Sequence, residues 1–326
     1  MLISVNGYDI IDSDPDILAM LLRDHTTQRN IFWGTNSYAE LGDGYRCNDQ
    51  ISVEKVSGDN GGIVIPRAFK TIEQQRHRSR EMAEVFTPAW ICNKQNNLID
   101  NAWFCQEGIF NTEVDGDDGK HSWIVNPNAI TFPVGRTWRD YVNEDRLEIT
   151  CGEAPYLVSR YDTVTGKEIP IEARIGFIDR KLRVVRENTK SSTEWLRAAQ
   201  SAYQSIYGYD WQGDNIFLAR KNLLMSFVDY YRDKFGKNPH KKSLLYIAYI
   251  ISWNIWQMDG LKGVIPNSCG ERRTVVADLF GETEAITQCE GCRTGNIRHH
   301  NGIYCLVKDW NAPKDKQKIR FIDLIK

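Results

Sequence analysis

The densest cluster of metal-ligating residue types lies late in the chain, where Cys269, Cys289, Cys292 and Cys305 crowd together. Cys289 and Cys292 form a Cys-x-x-Cys pair, the usual half-site of a tetrahedral structural zinc, because two intervening residues let both thiolates reach one metal. Cys269 and Cys305 are the expected second pair, with His299 and His300 close by as substitutes. Four protein ligands leave no open position, so a zinc held this way is structural. The alternative is four reduced thiols without metal. A Cys/His/Cys base deaminase is disfavoured by the missing His-x-Glu signature. Cys47, Cys92, Cys105 and Cys151 are scattered and read as free thiols.

A second set of residues is spread through the middle of the chain. Arg146–Ile149 reads as a short strand running into a Cys151-Gly152 turn, Ile206–Tyr209 as a strand ending on Asp210, and Leu244–Trp256 as a helix passing into a strand ahead of Asp259. A glycine after a first strand lets backbone approach a ligand. An acid closing a second strand can accept from two ribose hydroxyls, and one after a third can accept from an adenine amino group. An adenosine-type ligand suits this pattern; a nicotinamide cofactor suits it less, since no Gly-x-Gly-x-x-Gly fingerprint is present.

The elements that must position these residues are helical. Arg174–Val185 mixes apolar and basic residues as a helix does, and Ser191-Ser192-Thr193-Glu194 is a capping signature for a helix to about Gln204. Asp214 is placed to cap a helix whose apolar face is Ile216, Ala219, Leu223, Phe227 and Tyr231, stopped by Gly236 and Pro239. Strands alternating with helices predict an α/β fold of Rossmann-like type over residues 81–262. Residues 1–66 read as an irregular or β-containing part of an N-terminal extension, 1–80. Residues 67–83 read as a basic helix whose charged face is solvated or contacts phosphate. The polar Asp115-Gly116-Asp117-Asp118-Gly119 run reads as a turn, since its spacing does not fit a calcium loop. Residues 263–326 form a Cys-rich segment.

The chain of 326 residues is 41% hydrophobic and 26% charged, the composition of a folded globular protein. A net charge of −2 excludes coating nucleic acid by bulk electrostatics, though not a local basic channel. No apolar run approaches a membrane span, and the aspartate-rich start lacks the features of a signal peptide, so the expected location is cytoplasmic.

Several segments together resemble the gamma-class DNA adenine-N6 methyltransferases of restriction–modification systems, and the whole chain resembles proteins labelled restriction endonuclease subunit M. Ala83-Glu84-Val85-Phe86-Thr87-Pro88-Ala89-Trp90 resembles that family's opening Phe-Thr-Pro segment, and Leu147–Tyr156 its acid-x-x-Cys-Gly-x-Gly-x-Phe motif. Ile206–Asp210 and Asn254–Leu261 resemble its second and third motifs. The resemblance implies S-adenosylmethionine as cofactor. Phe86, Thr87 and Pro88 would line its methionine end, Glu148, Cys151, Gly152 and Glu153 would form the loop beneath, Asp210 would hold the ribose and Asp259 the adenine. Ala154 departs from the family, standing where a glycine is usual; its methyl is tolerated if φ stays negative.

The family's Asn/Asp/Ser-Pro-Pro-Tyr/Phe motif, which holds the flipped adenine, is absent: the chain has no Pro-Pro, and Asn126-Pro127-Asn128-Ala129 is the nearest fragment. Lys318–Lys326 resembles the strand region just ahead of that motif. The resemblance therefore implies double-stranded DNA as substrate and a second polypeptide carrying the catalytic motif and target recognition. The competing reading is a non-catalytic DNA- or cofactor-binding component of a restriction or phage-related system.

Overall fold

Capping residues set most of the helix boundaries. The computed structural model describes residues 9–115, 121–278 and 281–325. After α1 (Asp9–Asp12), Asp14 accepts from the Asp16 and Ile17 amides at 3.0 and 3.3 Å and, with Pro15 behind it, starts α2 (Pro15–Leu22). Arg67–Phe69 form a separate 3-10 turn, and Thr71 with Gln74 makes a capping box, so α3 spans Ile72–Met82 rather than the whole basic run. Then come α4 (Ala89–Phe104), a hairpin of β1 (Asn111–Asp115) and β2 (His121–Val125), and α5 (Trp138–Asn143). The expected turn at 116–119 lies outside the described residues.

The mixed α/β centre follows the sequence expectation in outline. Strand β3 (Arg146–Glu148) leads through α6 (Phe177–Asn188) and α7 (Ser192–Gln204) to β4 (Ile206–Asp210). Ser191 caps α7 by accepting from the Glu194 amide at 3.2 Å. Helices α8 (Gly213–Phe235) and α9 (Lys241–Asn254) then lead to β5 (Ile255–Gln257). The three strands form one small parallel sheet in the order β3-β4-β5. Gly236 ends α8 at φ +65°, as its position foretold. The cap at the other end is Gln212, not Asp214, whose side chain is fully buried and turned to other partners.

Helix α8 is buried almost all round, and even Arg220 within it is fully enclosed. Its guanidinium donates to the carbonyls of Leu21, Arg23, Ser252 and Ile255 at 2.6–3.0 Å. One buried cation thus satisfies the carbonyl ends of α2 and α9 together.

The described residues of the N-terminal segment share a core with the middle of the chain. Ile11, Ile17, Leu21, Trp33, Ile51 and Val64 belong to the same apolar core as Leu223, Ile247 and Ile251. Among the described residues of this segment, long-range pairing is confined to isolated bridges such as Phe32↔Gln50, between short helices and irregular chain.

Past the sheet, β6 (Arg272–Asp278) and β7 (Gly281–Thr287) form a hairpin, followed by α10 (Glu290–Thr294) and the antiparallel pair β8 (Leu306–Lys308) and β9 (Lys318–Arg320). A second apolar cluster of Tyr209, Trp256, Met258, Ile265, Cys305, Val307 and Phe321 seats this part on the sheet. Among the described residues, no helix is long and apolar enough to cross a membrane.

Candidate functional site

The loop after β3 is bent sharply. Thr150, Gly152 and Ala154 all have positive φ, at +46°, +54° and +62°. The condition under which the Ala154 methyl would be easily tolerated, a negative φ, is not met: Ala154 adopts the left-handed conformation with its methyl fully buried. A left-handed non-glycine residue costs roughly 1 kcal/mol or more, so the surroundings must hold the loop. They do so with fixed bonds. The Cys151 amide donates to Tyr209 O at 2.8 Å and the Gly152 amide to Asp210 Oδ2 at 2.9 Å. Glu148 accepts from the Leu157 amide at 3.1 Å and the Tyr156 amide at 3.4 Å, while burial pushes its carboxyl well up.

This loop walls a cleft of about 960 Å³ at the carboxyl ends of β3 and β4, lined also by Gly34–Asn36, His77, Arg80, residues 81–86, Asp210–Gln212 and Asn215. Three residues singled out from the sequence meet here. Phe86 packs on Gly152, where an added Cβ would lie 3.4 Å from its ring, and Asp210 stands between them and α8. Burial pushes the Asp210 carboxyl up to about 6, against the amides of Gln212 (2.7 Å) and Gly152, which favour its charged form. The buried side-chain oxygen of Gln212 has no hydrogen-bond partner in the protein, leaving an acceptor in the cleft wall that a ligand's hydroxyl or amino group can satisfy.

Beneath the cleft lies an ionic network that the sequence did not reveal. Arg78 Nε donates to Glu84 Oε2 at 2.7 Å, and its other nitrogens meet Asp214 at 2.9 and 3.1 Å. Tyr38 donates to Asp214 at 2.8 Å, Lys70 lies 3.7 Å from it, and Asn215 donates to Glu84 at 3.2 Å. Burial alone would raise the Asp214 carboxyl, but Arg78 and Lys70 hold it below the usual range. Arg78 itself is buried, although an arginine in a basic run reads as a solvated charge. The network locks α3 and residues 83–86 to the start of α8, fixing one cleft wall.

The other expected ligand residues do not line the cleft. Thr87 uses its carbonyl to accept from Thr163 at 3.1 Å, and Pro88 precedes α4. Cys151 and Glu148 are buried behind the loop. Glu153 turns away to accept from the Arg67 amide at 2.7 Å and from the Tyr161 hydroxyl. Asp259 lies two residues past the end of β5 and closes its own turn, accepting from the amides of Leu261 (3.1 Å) and Lys262 (3.2 Å). These are structural positions for the loop and turn, not contacts with the cleft.

The cysteine cluster is real, with one exchange of ligand. Cys269, Cys289, Cys292 and His300 place their donor atoms within 4.8 Å of one another, close enough to hold a metal ion. Cys269 Sγ lies 3.2 Å from Cys289 Sγ, 3.5 Å from Cys292 Sγ and 3.4 Å from His300 Nδ1. A tetrahedron with metal–sulfur bonds of about 2.3 Å has edges of about 3.8 Å, so the spacing is near what such an ion requires. Cys305 is not a member. It is fully buried in the second apolar cluster, its thiol against Gln257 O at 3.5 Å. Cys269 is pushed up to about 11 by burial and by its two thiol neighbours. Cys289 is drawn down to about 5, against desolvation, by the amides of Cys292 and Asn301.

A scan against family models and searches of curated proteins and of solved structures return no match to this chain.

Proposed function

We propose that this chain is the S-adenosylmethionine-binding part of a DNA adenine-N6 methyltransferase, with a Rossmann-like core, acting in the cytoplasm as the modification component of a restriction–modification system. The observation that carries the reading is the convergence of Phe86, Gly152 and Asp210 on one cleft at the carboxyl ends of parallel strands. The cofactor supplies an electrophilic methyl group for adenine N6. Asp210 accepts from the ribose hydroxyls, Gln212 offers its unpaired oxygen, and Phe86 presents an apolar wall. Asp259 takes no part in this version of the site. The base-holding Pro-Pro motif and target recognition belong to a second polypeptide bound to the same double-stranded DNA.

Calorimetry tests it. Binding of S-adenosylmethionine at micromolar to sub-millimolar concentration, lost in Asp210→Ala, is the expected result. No heat at millimolar cofactor, or binding indifferent to that substitution, rejects the site and favours the non-catalytic reading.

We also propose that Cys269, Cys289, Cys292 and His300 hold one structural zinc. Three sulfurs and an imidazole suit that ion, and four protein ligands leave no position for substrate. Metal analysis of the reduced protein should give about one equivalent of zinc; a small fraction of one rejects it.

A further inference from the structure

A smaller hollow adjoins the cleft. It measures about 410 Å³ and runs along the first half of α3, with Glu73, Gln74 and Arg78 in one wall and residues 36–38 in another. The cleft takes the second half of α3, and the two spaces meet at Asn36 and His77, which line both.

The group that gives this hollow its chemistry is Lys70, set in its wall one residue ahead of the Thr71 cap. The Lys70 side chain is only 6% exposed, and its ammonium has no hydrogen-bond acceptor among the described residues. Asp214 Oδ2 lies 3.7 Å away, too far for a hydrogen bond, and that carboxylate is already held by Arg78 and Tyr38. Glu84 is held in the same way by Arg78 and Asn215. Glu153, whose field also reaches Lys70, is taken up by the Arg67 amide and the Tyr161 hydroxyl. A buried ammonium with three unmet donors is strongly unfavourable, and the hollow is where an acceptor can reach it.

The amide side chains beside Lys70 add further donors. Asn36 Oδ1 accepts from the Cys47 amide and Gln74 Oε1 from the Thr71 amide, each at 3.0 Å. With both oxygens tied to the backbone, the two NH2 groups are left for a ligand. The carboxylates in the wall, Glu40 and Glu73, are exposed, where water and salt screen them. An enclosed cation flanked by two amide donors selects a ligand group that only accepts and carries negative charge. A phosphate has enough oxygens to meet all three donors at once.

We propose that this hollow is a phosphate site, in which Lys70 Nζ and the amide nitrogens of Asn36 and Gln74 hold the oxygens of free phosphate or of a nucleotide's phosphate group. The site goes beyond the cofactor reading and does not depend on it.

Calorimetry of the full chain with inorganic phosphate, in chloride buffer of low ionic strength, is the test. Binding with a dissociation constant on the order of 1 mM or below is expected. Lys70→Met should weaken it about tenfold or more, the loss of a charge-assisted hydrogen bond. Glu73→Gln should tighten it about twofold, since an exposed like charge is removed. That variant should leave S-adenosylmethionine affinity as it was, and Asp210→Ala should leave phosphate affinity as it was, so either proposal can fail alone. Deoxyadenosine monophosphate is the second probe. Tighter binding than phosphate, with the same sensitivity to Lys70→Met, assigns the site to a nucleotide; no gain over phosphate assigns it to the free ion. The inference is overturned by no heat with either probe at about 10 mM, by unchanged affinity in Lys70→Met, or by weaker binding in Glu73→Gln. If Lys70→Met does not fold, the Glu73→Gln result, at an exposed residue, still decides.

Discussion

The cleft and the cysteine cluster are assembled in opposite ways. The cleft draws on residues from Gly34 to Asn215, brought together by the core and by the buried Arg78–Asp214–Glu84 network, so its shape exists before any ligand arrives. The cluster draws on residues 269–300 alone, held by local contacts such as Asn301 Nδ2 to Gly270 O at 2.7 Å and Ile303 N to Ser268 Oγ at 3.0 Å. A site built from long-range packing fails when the packing fails. A site built from a short segment should fail when an ion bound there is removed. If the contrast is correct, each can be broken without the other.

Metal removal should have the largest effect. Structural zinc in small sites supplies apparent free energies on the order of 10 kcal/mol, much of it folding energy for the segment concerned. Dialysis against a chelator under reducing conditions should make residues 266–304 sensitive to protease and fast in hydrogen exchange. S-adenosylmethionine affinity should change little. Loss of cofactor binding on chelation would mean that the two regions are one cooperative unit.

Arg78→Met is the converse break. It leaves Asp214 and Glu84 buried with only Lys70, Tyr38, Asn215 and, at 3.7 Å, Arg67 nearby, and such an uncompensated loss costs about 3–5 kcal/mol. Urea unfolding should show that loss, with zinc content unchanged. Adding Asp214→Asn and Glu84→Gln should return a large part of it, because neutral partners no longer need the guanidinium.

What the sequence made legible was local. Ser191 and Gly236 announced their helix ends, and the strand ending on Asp210 was readable from Ile206 onward, because caps and short apolar runs act within a few residues. Burial of charge was not legible. Arg78 sits among Arg76 and Arg80, and only the fold decides which of the three turns inward. Asp214 had the right position for a cap, but a buried guanidinium outbid the helix amides for its carboxylate. The exchange of Cys305 for His300 had one available signal. Gly291 lies between the paired cysteines, and a Cβ there would be 2.6 Å from His300 Nδ1, so a glycine is required for the imidazole to reach the thiols. Cys305 is drawn under the sheet instead, one residue past the bridge between Val264 and Tyr304.

Titration sharpens the picture of the cleft. Asp210 is raised from the ordinary 3.8 to about 6, so between those values the folded chain retains a proton the unfolded chain has released, and this group makes stability fall as pH rises across the interval. Ligand hydroxyls need the charged form. At pH 5 about one carboxyl in ten is ionised, so cofactor affinity should be about tenfold weaker there than at pH 7.5. Asp210→Asn should bind weakly at both values. A wild-type affinity flat across this range would remove Asp210 from the ligand's contacts.

The smallest expected effect tests whether the cleft loop stores strain. Thr150 is exposed, has φ +46°, and uses its hydroxyl only on its own neighbour, Ile149 O, at 2.7 Å. Thr150→Gly should therefore stabilise the chain by about 1 kcal/mol, because glycine enters the left-handed region without the Cβ clash. Ala154→Gly relieves the same kind of backbone strain at φ +62° but removes a fully buried methyl, worth about 0.8 kcal/mol, so its net effect should be close to zero. Denaturant titrations of the two variants side by side distinguish strain from packing. Equal effects would mean that the loop relaxes around either residue. A gain at 150 with none at 154 would mean that the fold holds the bend rigidly, as a ligand wall at the end of β3 requires.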